Sequence, residues 1–388
     1  MQPANATNRR DVLTGLALTG TAALTGGALL NAAPGFAAPA KNARDAAAAR
    51  MIMFGSAFDQ HIYGSPSYAR LLADECAILT PDYSMKFGSM RSTPDTIDFT
   101  VVDRLFEFAA QHNMKMRGHT LIWNDFMPDW TRRLSAAEME RLLDQHIDAV
   151  AGRYAGRVQS WDVVNEPIWV DSRNDGGLRG GPWYAAMGRN YIARSFRRAK
   201  QADPSAKLVL NEAFLEYRWY DSPFAKNRSR KPDSPWSKVR GHFLDLVRRL
   251  RDEDVPLDAI GLQSHLSSRF RDEYDRDSFL EFLHTLKGMG LELQITELDV
   301  DDSTLPDDFA LRDKGVADIY RSYLKDVLSV GAVREIVTWE LSDRHTSLAE
   351  EIQAGRKSGE RMPRCLPFDF DMRPKPAYSA IVSALNGK

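Results

Sequence analysis

The sequence predicts an α/β fold in which eight parallel strands, each followed by a helix, close into a single (β/α)8 barrel of the TIM type. Three observations carry that prediction. Short apolar runs rich in β-branched residues alternate with amphipathic runs of helical period along most of the chain. At 388 residues, with 43% hydrophobic and 27% charged residues, there is ample length for one large barrel. No glycine-rich phosphate fingerprint follows the first strand-like run, which argues against the doubly wound open sheet, the runner-up architecture.

Taken in order, the strand-like runs cover residues 51–58, 76–80, 114–120, 158–166, 208–211, 259–265, 291–297 and 335–340. Helical runs between them include 100–112, 135–154, 184–202, 239–254, 277–289 and 312–328. The fourth strand is apolar from Val158 to Val164, and Pro167, which cannot donate to a sheet ladder, closes it. The seventh is less regular: Glu292, Gln294 and Thr296 give it a polar face, where parallel strands are usually apolar on both sides. A hydrogen-bonded polar layer inside the barrel would account for that face.

Residues 1–40 read as an export signal rather than as fold. Asn8-Arg9-Arg10-Asp11-Val12-Leu13 sets a twin arginine before an apolar, Gly/Thr/Ala-rich run, and Ala37-Ala38-Pro39-Ala40 suits a signal peptidase. The pattern implies the twin-arginine export machinery as a partner and a periplasmic or extracellular mature protein. A retained membrane anchor is the competing reading, because the run could just span a bilayer. Its Thr and Gly content and the cleavage-like end favour removal, leaving no stable membrane association. Residues 41–50 read as a linker or a short capping helix, and 51–388 as one catalytic domain, expected to be a monomer.

Other function classes find no support. A formal net charge of −2 gives no hint of a nucleic-acid partner. The eight His and two Cys form no Cys-x-x-Cys or His-Glu-x-x-His spacing, so neither metal nor cofactor is expected. Cys76 and Cys365 would meet an oxidising compartment after export, but nothing in their positions pairs them.

Two carboxylates stand at strand ends. Trp161-Asp162-Val163-Val164-Asn165-Glu166-Pro167 places Glu166 where a buried strand stops, and Leu293-Gln294-Ile295-Thr296-Glu297 places Glu297 at a second such point. A carboxylate there is unfavourable unless it is paired or does chemistry. Glu166 alone is as well explained by a salt bridge to an arginine. Two such groups opening onto one mouth are the minimum for glycoside hydrolysis: one protonates the leaving oxygen, and the other attacks the sugar or activates water.

Trp-Asp-Val-Val-Asn-Glu at 161–166 and Ile-Thr-Glu-Leu-Asp at 295–299 resemble glycoside hydrolase family 10, the xylanase family, and the resemblance runs from about residue 51 to residue 381. It implies a (β/α)8 barrel with Glu166 as acid/base after the fourth strand and Glu297 as nucleophile after the seventh. Thr80-Pro81-Asp82-Tyr83-Ser84-Met85-Lys86-Phe87 resembles the family's Thr-Pro-Glu-Asn-x-Met-Lys-Trp and implies that Lys86 binds xylose hydroxyls. Asp82 and Tyr83 depart from the Glu and Asn usual there. Arg117-Gly118-His119-Thr120-Leu121-Ile122-Trp123 implies that His119 and Trp123 flank the sugar at the cleaved bond. For His119 alone a structural histidine is the simpler reading.

Ile260-Gly261-Leu262-Gln263-Ser264-His265-Leu266 resembles the sixth-strand motif, with Gln263 on the sugar and His265 bonded to the nucleophile, lowering its pKa. Asp299 would fix the His265 tautomer, although a surface Asp explains it nearly as well. Asn165 resembles the Asn that binds the sugar 2-hydroxyl. Thr338-Trp339-Glu340-Leu341-Ser342-Asp343 resembles Thr-x-Trp-Gly-x-x-Asp and implies Trp339 as a stacking face. Here the departures cluster: Glu340 for Gly, His345 for an aromatic, and Ser347 for a second Trp. Arg373-Pro374-Lys375-Pro376-Ala377-Tyr378 matches the family ending and reads as structural.

Two loops lie outside these motifs. Residues 176–183 are Gly-rich without Walker spacing and read as a flexible rim. Residues 218–238, with Arg218, Lys226, Arg228, Arg230, Lys231 and Lys238, read as a solvated basic loop, or more sharply as a reader of acidic side groups on a polysaccharide. The whole reads as a secreted, retaining endo-1,4-β-xylanase. The alternatives are another retaining barrel glycosidase, acting on mannan, glucan or decorated xylan, and a non-catalytic sugar-binding barrel. Binding alone would not need both carboxylates.

Overall fold

The computed structural model describes residues 42–169, 172–217, 238–355 and 361–387. The stretch read as an export signal and residues 218–237 of the basic loop lie outside the described residues. Eight strands form the barrel: Met53–Phe58, Ile78–Pro81, Lys115–Gly118, Val158–Asn165, Lys207–Glu212, Ala259–Leu262, Glu292–Asp301 and Val333–Thr338. Each pairs in parallel with the next. The eighth also pairs with the first, Met53 opposite Glu335, and closes the ring.

The strands sit where the sequence periodicity predicts them, with two differences. Runs 114–120 and 259–265 are not continuous. The third strand stops at Gly118 and a short piece, Ile122–Trp123, resumes against the fourth; the sixth stops at Leu262 and His265–Ser267 resumes against the seventh. Ser264, at φ 62, turns the chain between the two sixth-strand pieces. The helical run 184–202 is likewise two helices, Pro182–Met187 and Asn190–Ala202, broken where Gly188 adopts φ 57.

Helix Ala136–Arg153 begins on a capping box. Glu138 N–H bonds Ser135 Oγ at 3.3 Å, and the Glu138 carboxylate accepts from Ser135 N–H at 2.8 Å. The stretch read as a linker or capping helix is a helix, Ala43–Ala48, with Ala43, Ala46 and Ala47 fully buried. Arg50 Nη1 reaches Ala384 O at 2.9 Å and ties it to the last helix, Pro376–Leu385. Cys76 and Cys365 are buried free thiols. No helix among the described residues is long and apolar enough to cross a membrane.

The core has two layers of different chemistry. Between strands and helices it is apolar, built on Trp161, Leu208, Ile260, Leu293 and Ile336. A Cβ at Gly118 would lie 2.1 Å from the Trp161 ring, so only glycine lets that indole sit against the third strand. Inside the barrel the core is polar. Fully buried Arg117 bonds Asp162, Gln294, Ser160 Oγ at 3.1 Å and Glu335 Oε2 at 3.0 Å. Gln294 Nε2 donates to Glu335 Oε1 at 3.2 Å, and Thr296 Oγ1 to Asn211 Oδ1 at 2.7 Å. The polar face of the seventh strand is therefore this interior layer. A buried guanidinium is tolerable because carboxylates and amides take up its donors.

Candidate active site

Strand ends deliver the site. Glu166 leaves the fourth strand in a left-handed conformation, φ 48, held by its N–H on Asn211 O at 2.8 Å. Its Oε1 accepts from Gln263 Nε2 at 3.1 Å, and its Oε2 from Arg179 Nη2 at 2.6 Å and Trp123 Nε1 at 3.3 Å. Glu297 lies on the seventh strand, with its N–H on Gln263 O at 3.0 Å. Its Oε1 accepts from Asn211 Nδ2 at 2.8 Å, and His265 Nε2 is 3.2 Å from Oε2.

The two carboxylates share one bridge of amides. Asn165 Oδ1 accepts from both Asn211 Nδ2, at 2.9 Å, and Gln263 Nε2, at 3.2 Å. The path Glu166–Gln263–Asn165–Asn211–Glu297 thus crosses the ends of the fourth to seventh strands. Residues far apart in sequence are held as one unit.

Electrostatics hold Glu297 ionised. Burial alone would raise the Glu297 pKa, but the His265 hydrogen bond, with His119 and Lys86 nearby, outweighs it and holds the group at about 2. His265 faces a carboxylate from each ring nitrogen, with Nδ1 2.9 Å from Asp299 Oδ1. Burial favours its neutral form, but Asp299 first and then Glu297 keep it protonated well above the usual histidine range. The expected carboxylate–imidazole contact of Asp299 is present, and it orients the ring while favouring its charged form.

The sugar-contact candidates converge on the same mouth. Lys86 Nζ lies 5.4 Å from the Trp123 ring centroid and 5.6 Å from that of Trp339. His119 meets Trp339 edge-on at 5.4 Å, and its Nδ1 is 2.9 Å from Asp162 Oδ2, in the Arg117 network. Lys86, His119, Trp123, Asn165, Gln263, His265 and Trp339 are all brought together around Glu166 and Glu297.

Three functional side chains were missed by sequence reasoning. Asn211 links both carboxylates, and its position at the end of the fifth strand is the signal that could have found it. Arg179 comes from the Gly-rich stretch read as a flexible rim, and that reading needs correction. Its Nε bonds Glu166 O at 2.9 Å, its Nη2 the Glu166 carboxylate, and its Nη1 Asp125 at 2.5 Å. Nothing local marks this arginine. Glu212, buried at the end of the fifth strand, accepts from Ile168 N–H at 2.9 Å and is pushed up to about 8 by burial and the charge of Glu166.

The departures from the family motifs follow the second and eighth strands. Glu340 has φ 73, a conformation glycine adopts freely, which explains why a side chain is unusual there. It is 2% exposed, takes the Tyr68 hydroxyl on Oε2, and has no partner for Oε1. Burial raises its pKa, and burial with Glu340 and Asp59 pushes Asp82 up to about 8. Tyr83 is exposed and meets Phe126 edge-on at 5.1 Å. Ser347 is exposed at the first position of helix Ser347–Gln353 and borders a cavity of about 440 Å³ that reaches His265 and Asp299. Lys375 of the C-terminal motif is buried, with Nζ on Asp343 Oδ2 at 2.8 Å, a packing role.

Comparison with known proteins gives a consistent result. The family model for glycosyl hydrolase family 10 matches residues 42–384. The chain is 30% identical over 336 residues to endo-1,4-beta-xylanase 3 of Hypocrea jecorina, covering 86% of this chain and 82% of the relative. It is 29% identical over 323 residues to endo-1,4-beta-xylanase B of Thermotoga neapolitana, covering 83% and 84%. Native xylanase 10B from Thermotoga maritima superposes with a TM-score of 0.76 at 29% identity, over 89% of this chain and 98% of that one. Xylanase 10B from Thermotoga petrophila, solved with xylobiose, superposes at 0.75 and 29% identity, over 89% and 97%.

Proposed function

The chain belongs to glycosyl hydrolase family 10, and on that premise we propose that it is an exported endo-1,4-β-xylanase that cleaves internal xylosidic bonds with retention of configuration. The observation that carries the reading is the amide bridge from Glu166 to Glu297, which sets two carboxylates across one mouth. Glu297, ionised to about pH 2, attacks the anomeric carbon. Glu166 gives its proton to the leaving oxygen, then takes one from water in the second step. Arg179 stabilises the charge Glu166 acquires in between. Trp123 and Trp339 offer ring faces to the sugar, with Lys86 between them on its hydroxyls.

Xylan as substrate is supported by the named relatives and by the neighbour solved with xylobiose. Export by the twin-arginine route rests on Arg9-Arg10 and the apolar run after them. The described fold, with both cysteines buried and free, needs no oxidising compartment and is compatible with export after folding.

The test is stereochemical. Retention requires carboxyls about 5–5.5 Å apart and a covalent intermediate on Glu297. Glu166→Ala should still attack a dinitrophenyl xylobioside, whose leaving group needs no proton, and added azide should release the β-azide. Glu297→Ala should be nearly dead, rescued by azide only to the α-azide. Opposite anomers, read by proton NMR, would reverse the two roles. Reducing-sugar release from mannan or glucan in place of xylan would overturn the substrate.

A further inference from the structure

Outside the catalytic pair, one cluster combines metal-ligand side chains with unmet bonding capacity. His61 lies in the turn Gln60–Gly64 after the first strand, His345 in the turn Asp343–His345 after the eighth, and Glu350 in helix Ser347–Gln353. One donor atom from each lies within 4.8 Å of the other two. The Nε2 atoms of His61 and His345 are buried without a partner, and so is Oε1 of Glu340. The other Glu340 oxygen is 3.5 Å from His61 Nε2.

Ring packing explains part of this. His61 stacks on His345 at 4.6 Å, and Tyr68 lies 4.2 Å from His345. Stacking leaves the nitrogens and the carboxylate oxygen unsatisfied, however, and buried polar atoms in folded proteins rarely stay so. A hydrogen bond between the imidazoles would satisfy one pair at most. A cation would take up both imidazole nitrogens together with Glu350. Imidazoles with carboxylates are a zinc-type donor set, and a metal needs the imidazole lone pair free.

We propose that His61, His345 and Glu350, flanked by Glu340, form a Zn2+ site that pins the turn after the first strand to the turn and helix after the eighth. Zinc–ligand bonds of about 2.0–2.2 Å require the donors to draw closer than they stand. Exposed Glu350 is the group with room to move. The site would bridge the seam where the barrel's first and last units meet, and would compensate the buried charge of Glu340.

The experiment is calorimetric titration of the tag-free, EDTA-dialysed full chain with zinc chloride, paired with melting curves. The expected result is one Zn2+ per chain and a higher melting temperature. Glu350→Ala, an exposed change that leaves the core intact, and His345→Gln should each weaken binding about 10- to 100-fold or more. Absence of binding, or binding unchanged in both variants, would overturn the proposal. The latter would place the metal elsewhere on the chain.

Discussion

Glu297, on the seventh barrel strand, and Glu340, two residues past the end of the adjoining eighth, are about equally buried, at 5% and 2% exposure, yet they are driven in opposite directions. Glu297 is pulled down to about 2, whereas Glu340 is raised. Burial disfavours both charges, so burial does not make the difference. Glu297 receives a directed amide from Asn211 and a charged ring from His265, with both oxygens engaged. Glu340 has one phenol and one distant imidazole, an unpartnered oxygen, and Asp82 nearby. What decides whether a buried carboxylate is ionised is the set of donors the neighbouring strands bring to it. One half of the mouth is organised for charge, and the other is left electrostatically unresolved.

The largest effect that would test this contrast is on the organised side. Glu297→Gln keeps shape and removes the charge, and kcat should fall about 10⁴-fold or more, comparable to loss of a catalytic triad member. Retained binding of xylo-oligosaccharide by calorimetry would separate chemistry from folding. A kcat within tenfold of the parent would end the assignment.

Next comes His265→Asn, which removes the cation and leaves the burial. The Glu297 pKa should then rise from about 2, and the acid limb of kcat/KM should move to higher pH. The sign also runs through stability. A folded-state pKa below the ordinary 4.5 means that Glu297 contributes stability above that pH, lost as pH falls towards 2. The variant should therefore lose part of its advantage at neutral pH and little at pH near 2. An unmoved acid limb would show that another group holds the charge.

On the unresolved side the sign reverses. Asp82, at about 8 against an ordinary 3.8, holds a proton that the unfolded chain has lost between those values. Stability should fall as pH rises through that window. Asp82→Asn removes the titration, so its melting temperature should exceed the parent's by about 2–4 °C at pH 9 and match it at pH 4. A difference independent of pH would place Asp82 outside the electrostatic conflict. Smallest is Ser347→Trp. A ring added at the open cavity should tighten xylo-oligosaccharide binding by about 1 kcal/mol, and unchanged calorimetric affinity would show that the ring finds no sugar face there.

By itself the sequence determined the barrel, the strand ends and the residues that stand on them. Alternation at period two and three to four is set by neighbours a few positions away, and it survives in a single chain. Glu166 and Glu297 were legible because they stand at strand ends, whereas Gln263 and Trp339 were legible through the resemblance of their motifs to the family's. Even the anomaly of Gln294 and Thr296 was visible, although its cause was not. The breaks at Ser264 and Gly188 were missed because one left-handed residue hardly disturbs a pattern of apolar positions. Only the tertiary structure decided who partners whom. Arg179 meets Glu166 from a loop, Asn211 joins two carboxylates from a strand between them, and His61 meets His345 because the ring closes. The reason is physical: periodicity is a property of adjacent residues, whereas a charge state is the sum over everything folding brings within a few ångströms. Glu297 and Glu340 look alike as residue types at strand ends, and their opposite charge states come from chain segments that meet only when the barrel closes.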